Sequence, residues 1–346
     1  MATSDDGSNR CGAADQLASD GFVLLHQLCN SELVELVLDV SRRRAHAVRE
    51  ALGAKEIGIG SAAGYVEIVQ RSPGSVRIKD GGWDHFAVIL DNSVIFRLPK
   101  TEEKRGYFAN EIALLELVAN RTSVRIPSVS HVSRDKTIMG YSYLSGDELD
   151  ARAVELFDEE LLGVVSEQLA LFLGDLHEIS PKACQHLSVS KKRPVERLRA
   201  GYHEHLQGQL SDEECEMIEN YMQDLDSCMS SCSTRVLLHG DLYLEHVILN
   251  HKDKRISIID FSDWHFGDPA FDFRGLYDSP TLAREVVRKY RHKEDCDGLL
   301  ARAEVYYRMT PIVMMIASFR GYPCGFDESY REFKRLFFLI EQRQQA

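Results

Sequence analysis

The spacing of apolar residues changes along this chain, and the changes divide it. Over residues 32–52 the positions Leu33, Leu36, Val37, Val40, Ala47, Val48 and Leu52 recur mostly at three- and four-residue steps, which predicts an amphipathic helix. Residues 53–64, rich in Gly and small side chains, break that pattern, and residues 65–69 alternate as a strand does. Between residues 76 and 99 two strands are expected, joined at Asp91-Asn92, because β-branched runs flank a turn-forming pair in VILDNSVIF. A tight Gly-containing turn over residues 79–84 precedes them. A helix over about residues 104–119 carries Phe108, Ile112, Leu115 and Leu117 with Glu111 inside it, and a further extended stretch runs from Ile126-Pro127 to residues 141–144.

After Gly146 the pattern becomes helical, over roughly 155–178, 190–231, 280–310 and 311–342, with a short β-rich insert at 236–261. The expected organisation is therefore an N-terminal appendage over residues 1–70, partly disordered and holding the first amphipathic helix, then a sheet-plus-helix lobe over 71–145, then a helical lobe over 146–346. In such an arrangement a ligand would lie between the lobes.

Composition narrows the function classes. With 44% hydrophobic and 27% charged residues in 346, the chain can bury a core, which excludes disordered, collagen-like and coiled-coil classes. No apolar run approaches the ~20 residues that cross a bilayer, and the start of the chain lacks the basic and apolar stretches of an export signal. A soluble, cytoplasmic monomer without a membrane partner is the expectation. The eight cysteines are scattered, Cys228 and Cys232 being the closest pair, and they read as reduced thiols. The 41 Lys and Arg against 54 Asp and Glu leave a net charge of -13, which repels nucleic acid and suits cationic small molecules, although an acidic sum also serves solubility alone.

The densest chemistry lies in VLLHGDLYLEHVILN, followed by ISIIDFSD and GDPAFDF. Asp241, Asp260 and Asp268 each follow an apolar strand-like run on a short loop, where a rigid scaffold can aim them. One hairpin, with its turn at Lys252-Asp253-Lys254, separates the Asp241 loop from the Asp260 loop, and a hairpin returns its two ends to the same place. Asp241, His246 and Asp260 are thus expected to converge. Such a set suits phosphoryl transfer: one Asp orients and deprotonates a hydroxyl, while the other and a side chain just past the first hold magnesium on nucleotide phosphates. Where the general template has a metal-binding Asn, this chain has His246, a nitrogen donor less suited to magnesium than an amide oxygen, with Asn250 further on.

HGDLYLEHVILN together with IIDFSDWHFGDPAFDF resembles the aminoglycoside phosphotransferase family, and GGWDHFAVIL paired with VIFRLPK looks most like its 2''-phosphotransferase branch. The resemblance implies an α+β, protein-kinase-like two-lobe fold, with a small antiparallel-sheet N-lobe carrying one helix and a mainly helical C-lobe. It implies an enzyme that binds ATP or GTP with Mg2+ and phosphorylates a hydroxyl of a small molecule. Carried over by position, it assigns Asp241 as catalytic base, and His246 and Asp260 as metal ligands. Glu111 becomes the acid that pairs with a strand cation on the nucleotide phosphates. Arg97 stands where that cation is usually Lys; Lys100 is the other candidate, on the opposite strand face by its odd spacing. Gly82 and Trp83 fall in the Gly turn at the nucleotide, and Tyr143 and Leu144 in the connection whose backbone contacts the purine. Asp268 and Asp272 read as loop holders, and His239 as a hydrogen-bond partner beside Asp241.

The acceptor implied is an aminoglycoside or related amino sugar, a cation that favours carboxylates, with Asp278 as one candidate and Tyr307 for packing on a sugar face. Asp212, Glu213, Glu214 and Glu216 fit better as a helix N-terminus. Arg274 and Arg308, expected nearby, weigh against a polycation, so a macrolide or a choline-like metabolite stays open. A kinase-like binding or regulatory protein without turnover is the second reading, supported by Arg97 and His246 at the usual Lys and Asn positions. The early segment DGFVLLHQL weakly resembles phytanoyl-CoA-dioxygenase-like proteins, but no HxD with a distal His follows in register, so an iron site is not supported.

Overall fold

The computed structural model describes residues 76–79, 83–100, 107–132, 136, 138–187, 194–291, 296–322 and 324–344. The helix expected over 32–52, the strand over 65–69 and the Gly81-Gly82 turn lie outside these residues, as does the rest of the appendage. The chain divides into two compact units, the first reaching Glu116 and taking in Pro127–Tyr143, the second made of Leu117–Ile126 and the chain from Leu144 onward. The short stretch Leu117–Ile126 belongs to the second unit because it is bonded there: the Arg125 carbonyl accepts the Ile258 N–H at 2.8 Å, and the Arg125 guanidinium meets Asp253 at 2.6 Å.

The first unit is a five-stranded antiparallel sheet in the order β1-β2-β3-β5-β4, from β1 (Val76–Lys79), β2 (His85–Leu90), β3 (Val94–Pro99), β4 (Val129–Val132) and β5 (Met139–Ser142). Asp91 and Asn92 join β2 to β3 with φ of 52° and 50°, and the Ser93 N–H closes the turn on the Leu90 carbonyl at 2.9 Å. Two positive φ values give the turn the twist of the strands, and Asp and Asn tolerate that region better than other side chains. The two strands expected between residues 76 and 99 become three, because VRIK pairs separately with β2, Val76 opposite Leu90. Helix α1 (Tyr107–Ala119) lays Phe108 and Ile112 on Met139 and Tyr141 of the sheet. Glu111 lies one position before Ile112 and is 1% exposed, so it must be paired.

The second unit is mainly helical: α2 (Ala151–Glu155), α3 (Glu159–His177), α4 (Pro194–Gly201), α5 (Asp212–Ser231), then after the β insert α6 (Ala270–Phe273), α7 (Pro280–Lys289), α8 (Cys296–Tyr307), α9 (Met309–Phe319) and α10 (Phe326–Gln344). Of the long helices expected from periodicity, 155–178 stands as the single helix α3, and the other three are divided. The stretch 190–231 breaks before Ser211, whose hydroxyl accepts the Glu214 N–H at 3.3 Å while the Glu214 carboxylate takes the Ser211 N–H at 2.9 Å. This capping box makes the acidic run a helix start. Glu214 also receives Tyr330 at 2.5 Å and Lys334 at 2.6 Å from α10. Burial would raise its pKa, but those donors outweigh it and hold the carboxylate down to about 2. The stretch 280–310 breaks at Tyr290, and Gly321, with φ of 79°, ends α9 before α10 begins.

Strands β7 (Val236–Leu238) and β10 (His265–Gly267) pair with each other, and the hairpin of β8 (Val247–Asn250) and β9 (Arg255–Ile258) takes β6 (Asp147–Glu148) as a third strand. Phe172 of α3 packs edge-on against Phe261, and both are fully buried beneath the loops of this insert. Among the described residues Cys184, Cys215, Cys228, Cys232 and Cys324 are free thiols, and no helix is long and apolar enough to cross a membrane.

Candidate active site

The chain turns sharply as it leaves β7, through His239, Gly240 and Asp241. Gly240 has φ of 85°, and a Cβ there would sit 2.1 Å from the Asp263 carbonyl oxygen, so the turn and the close approach of the two loops both require glycine. Asp272, fully buried, supports the turn by accepting the N–H groups of His239 and Gly240, each at 2.8 Å, and it also meets His177 Nε2 at 3.1 Å. Burial opposes its charge, yet His177, His239 and the backbone donors keep its pKa below the ordinary carboxylate value. Asp268 is committed elsewhere, to Arg302 at 2.8 and 3.2 Å, the Tyr306 hydroxyl at 3.2 Å and the Ala270 N–H at 3.0 Å. Both carboxylates hold loops in place.

His239 joins the two loops. Its Nδ1 accepts the Asp241 N–H at 3.3 Å and its Nε2–H donates to the Ile259 carbonyl at 3.1 Å, a pattern that only the neutral ring satisfies. Burial drives its pKa down to about 4, in keeping with that tautomer.

The hairpin brings the other candidates to the same turn. A 3-10 turn, Leu244–His246, carries His246 back so that its Nδ1–H donates to the Asp241 carbonyl at 2.6 Å and lies 3.6 Å from Asp241 Oδ2, and the Ile259 N–H donates to the His246 carbonyl at 3.0 Å. Asp260 follows directly, at φ of 64°, a region that costs a non-glycine residue strain and is often occupied at functional sites. The Asp241 side chain keeps 34% of its surface open, and Arg274 Nη2 stands 3.5 Å from its Oδ1. Its pKa is pushed up to about 6, first by burial and further by the charges of Asp263 and Asp260, with His246 and Arg274 opposing. At His246 burial disfavours the charged ring, but Asp241 and Asp260 outweigh it and raise the pKa. Asp241, His246 and Asp260 are thus together in one unit.

Whether these residues suit a magnesium ion follows from their donor atoms. With Nδ1 bonded to a carbonyl, His246 has Nε2 left to offer, and the Asp260 charge acts on the same ring. Among the described residues no group of three or more His, Cys, Asp or Glu side chains forms a metal cage. Magnesium carried on nucleotide phosphates needs only one or two protein donors, so a carboxylate plus one further side chain fits it, the nitrogen being the weaker partner.

In the first unit Arg97 of β3 meets Glu111 of α1 at 2.5 Å, with both side chains buried. Its other terminal nitrogen lies 3.1 Å from His85 Nδ1, and the guanidinium stands over the Phe108 ring at 5.5 Å. Lys100 instead lies 5.3 Å from the Phe86 ring, on the face opposite Arg97. Removing one partner of a buried pair strands the other, so Arg97→Ala and Glu111→Ala are each expected to cost about 3–5 kcal/mol of stability, and the double variant clearly less than their sum. Arg97→Ala should also raise the nucleotide KM while Lys100→Ala leaves it unchanged. Additive stability losses, with Lys100→Ala as the change that damages KM, would move the role to Lys100.

The remaining candidates stand apart from this geometry. Trp83 is exposed just before β2, and Gly82 lies outside the described residues. The Tyr143 N–H is committed to the Ser93 carbonyl at 2.8 Å, so of the backbone groups expected to meet a purine this one is already used; Leu144 begins the second unit. Exposed Asp278 accepts the Tyr307 hydroxyl at 2.8 Å, and Tyr307 stacks on Tyr277 with ring centroids 5.8 Å apart. Arg308 stands over the rings of Tyr221 and Phe337 at 5.0 and 4.5 Å, a packing role that removes one of the two objections to a cationic guest. Asp263 was the residue that motif reading passed over; its signal was a third carboxylate, in FSD, on the Asp260 loop.

A model of the Phosphotransferase enzyme family matches residues 75–306, a span that contains both units' site residues up to Tyr306. The chain belongs to this phosphotransferase family. Its kinase-like fold recurs in solved structures. The GDP and kanamycin complex of APH(2'')-IIIa matches with a TM-score of 0.69 at 20% identity, covering 80% of this chain and 95% of that one. ADP-bound aminoglycoside phosphotransferase APH(2'')-Ib gives 0.60 at 22% identity over 78% and 93% of the two chains. The macrolide 2'-phosphotransferase MphH from Brachybacterium faecium gives 0.57 at 18% identity over 84% and 97%. Within the phosphotransferase family fold, the small antiparallel sheet with α1 forms one part and the helices with the HGD and IIDF loops the other.

Proposed function

We propose that this phosphotransferase is a magnesium-dependent kinase that uses ATP or GTP to phosphorylate a hydroxyl of a small cationic molecule, an aminoglycoside or related amino sugar. The observation that carries the reading is Asp241, partly open and held on a glycine turn, with His246 and Asp260 beside it. Asp241 accepts the proton of the acceptor hydroxyl as its oxygen bonds to the γ-phosphorus, and the bond to the bridging oxygen breaks to release the nucleoside diphosphate. Asp260 and His246 Nε2 would hold the metal, which when bound neutralises phosphate charge. Arg97, fixed by Glu111, is the proposed phosphate-side cation, Trp83 and Gly82 the turn at the nucleotide, and the Tyr143 carbonyl with Leu144 the purine contact. Asp278 with Tyr307 is the proposed acceptor contact, since an exposed carboxylate beside stacked tyrosines suits an aminated sugar. The net charge of -13 supports a cationic guest over nucleic acid.

The test is phosphate transfer from ATP or GTP to a panel of aminoglycosides, a macrolide and choline, followed by mass spectrometry of the acceptor. A gain of one phosphate on an aminoglycoside is the expected result. Transfer only to the macrolide or to choline would replace the acceptor assignment. If no acceptor were modified and no slow magnesium-dependent nucleotide hydrolysis appeared, the chain would be a binding protein without turnover.

A further inference from the structure

Arg274 follows GDPAFDF directly and opens the 3-10 turn Arg274–Asp278. It is only 5% exposed, and a buried guanidinium has to be met by acceptors or by opposite charge. Here it has both. Nη1 donates to the Phe271 carbonyl and Nη2 to the Gly240 carbonyl, each at 2.9 Å, and Nη2 stands 3.5 Å from Asp241 Oδ1. The plane lies over the Phe271 ring at 3.8 Å and 5.1 Å from the Tyr243 ring. Gly240, Asp241 and Tyr243 all belong to the turn that carries the proposed base, so most of what this side chain touches is that turn.

We propose that Arg274 is a positioning residue for phosphoryl transfer, a fixed cation that holds the Asp241 carboxylate in place and allows Asp241, Asp260 and Asp263 to share one site. The inference rests on the reading of Asp241 as the base. Its physical content is a balance of charge: carboxylates near one turn repel, and among the described residues the Arg274 guanidinium is the permanent cation that meets Asp241. Its shape matters as well. A planar fork bonds the carbonyl of the glycine that makes the turn and faces the carboxylate one residue later, while its other arm reaches the Phe271 carbonyl. A lysine ammonium brings the charge without that span. If the side chain served only to pin α6 to the turn, its loss would lower stability without regard to the charge at Asp241.

The experiment is a double-mutant cycle of Arg274→Gln with Asp241→Asn, read by thermal melting of the full chain, with steady-state kinetics on the Arg274 variants. Arg274→Gln should lower Tm, and adding Asp241→Asn should recover part of that loss, a larger upward shift than the same change makes in the wild type. Equal shifts in both backgrounds would overturn the proposal. In kinetics Arg274→Gln should lower kcat roughly 10- to 100-fold, the scale of a misplaced reacting group, with the nucleotide KM held within about twofold, and Arg274→Lys should regain part of the rate. Wild-type kcat in Arg274→Gln, or a raised KM at unchanged kcat, would also overturn it. Where Arg274→Gln does not fold, Arg274→Met, which also removes the charge but keeps an apolar contact with the Phe271 and Tyr243 rings, carries the same cycle. The melting cycle needs no turnover, so a wild type that transfers no phosphate would sink the functional reading while the cycle still decides the link between Arg274 and Asp241.

Discussion

Asp241→Asn is expected to lower kcat by roughly 10² to 10⁴-fold while nucleotide affinity stays at the wild-type value. Asparagine preserves the shape of the side chain and its place beside His246 and Arg274, but its amide cannot take the proton of an acceptor hydroxyl. The proposed metal donors on Asp260 and His246 are untouched, which separates the chemical step from nucleotide binding. The same carboxylate should set the acid limb of the pH profile. Because its pKa is raised to about 6, the proton-accepting form is lost as pH falls through that value, about two units above where an ordinary Asp would fail. The raised pKa also has a stability sign: above the unfolded-state pKa the ionised carboxylate disfavours the folded state, so the Asn variant should melt no lower than wild type near neutrality. Steady-state kinetics across pH, calorimetric nucleotide titration and melting curves check the three statements. A variant that turns over normally would remove Asp241 from the role.

Asp260→Ala is expected to remove the magnesium-dependent part of nucleotide binding, with both Kd and activity affected. The backbone at this residue matters as well, since φ is 64°, where alanine is strained by about 1 kcal/mol or more and asparagine is tolerated better. Asp260→Asn therefore serves as the companion variant, keeping the turn while removing the charge that draws a cation. Calorimetry with nucleotide in the presence of magnesium and of chelator should show the difference between the two conditions shrinking by roughly 10–100-fold or more in Asp260→Asn. If Asp260→Asn bound magnesium-nucleotide as tightly as wild type, the ligand assignment would fail, and the loss in Asp260→Ala would reflect the backbone alone.

Much of this was legible in the linear chain because it depends on neighbours in sequence. The alternation of HFAVIL and VIFRLP around Asp91-Asn92 is enough to give a hairpin, since strand period and turn preference are local properties. The same holds for the hairpin of β8 and β9, whose closure places the Asp241 and Asp260 loops side by side. The helical stretches were legible in type but not in extent. Apolar periodicity continues across Ser211 and Tyr290, whereas the capping box at Ser211 starts a new helix and the extended backbone of Tyr290 ends α7.

Pairings between distant residues were decided by tertiary structure alone. Arg97 with Glu111 could be anticipated from a motif, but the contact of Arg97 with His85 follows from the register of β2 on β3. Asp272 under the His239 turn, Asp268 with Arg302, and Arg274 on Gly240 each join residues more than thirty positions apart. By itself the sequence determined the type of most elements, the turn between β2 and β3 and the convergence of the Asp241 and Asp260 loops, because backbone periodicity and φ preference act over a few residues. Which buried charges meet was decided only when the loops packed, because a charge in the interior is tolerated only where the fold brings an acceptor or a counter-charge to it.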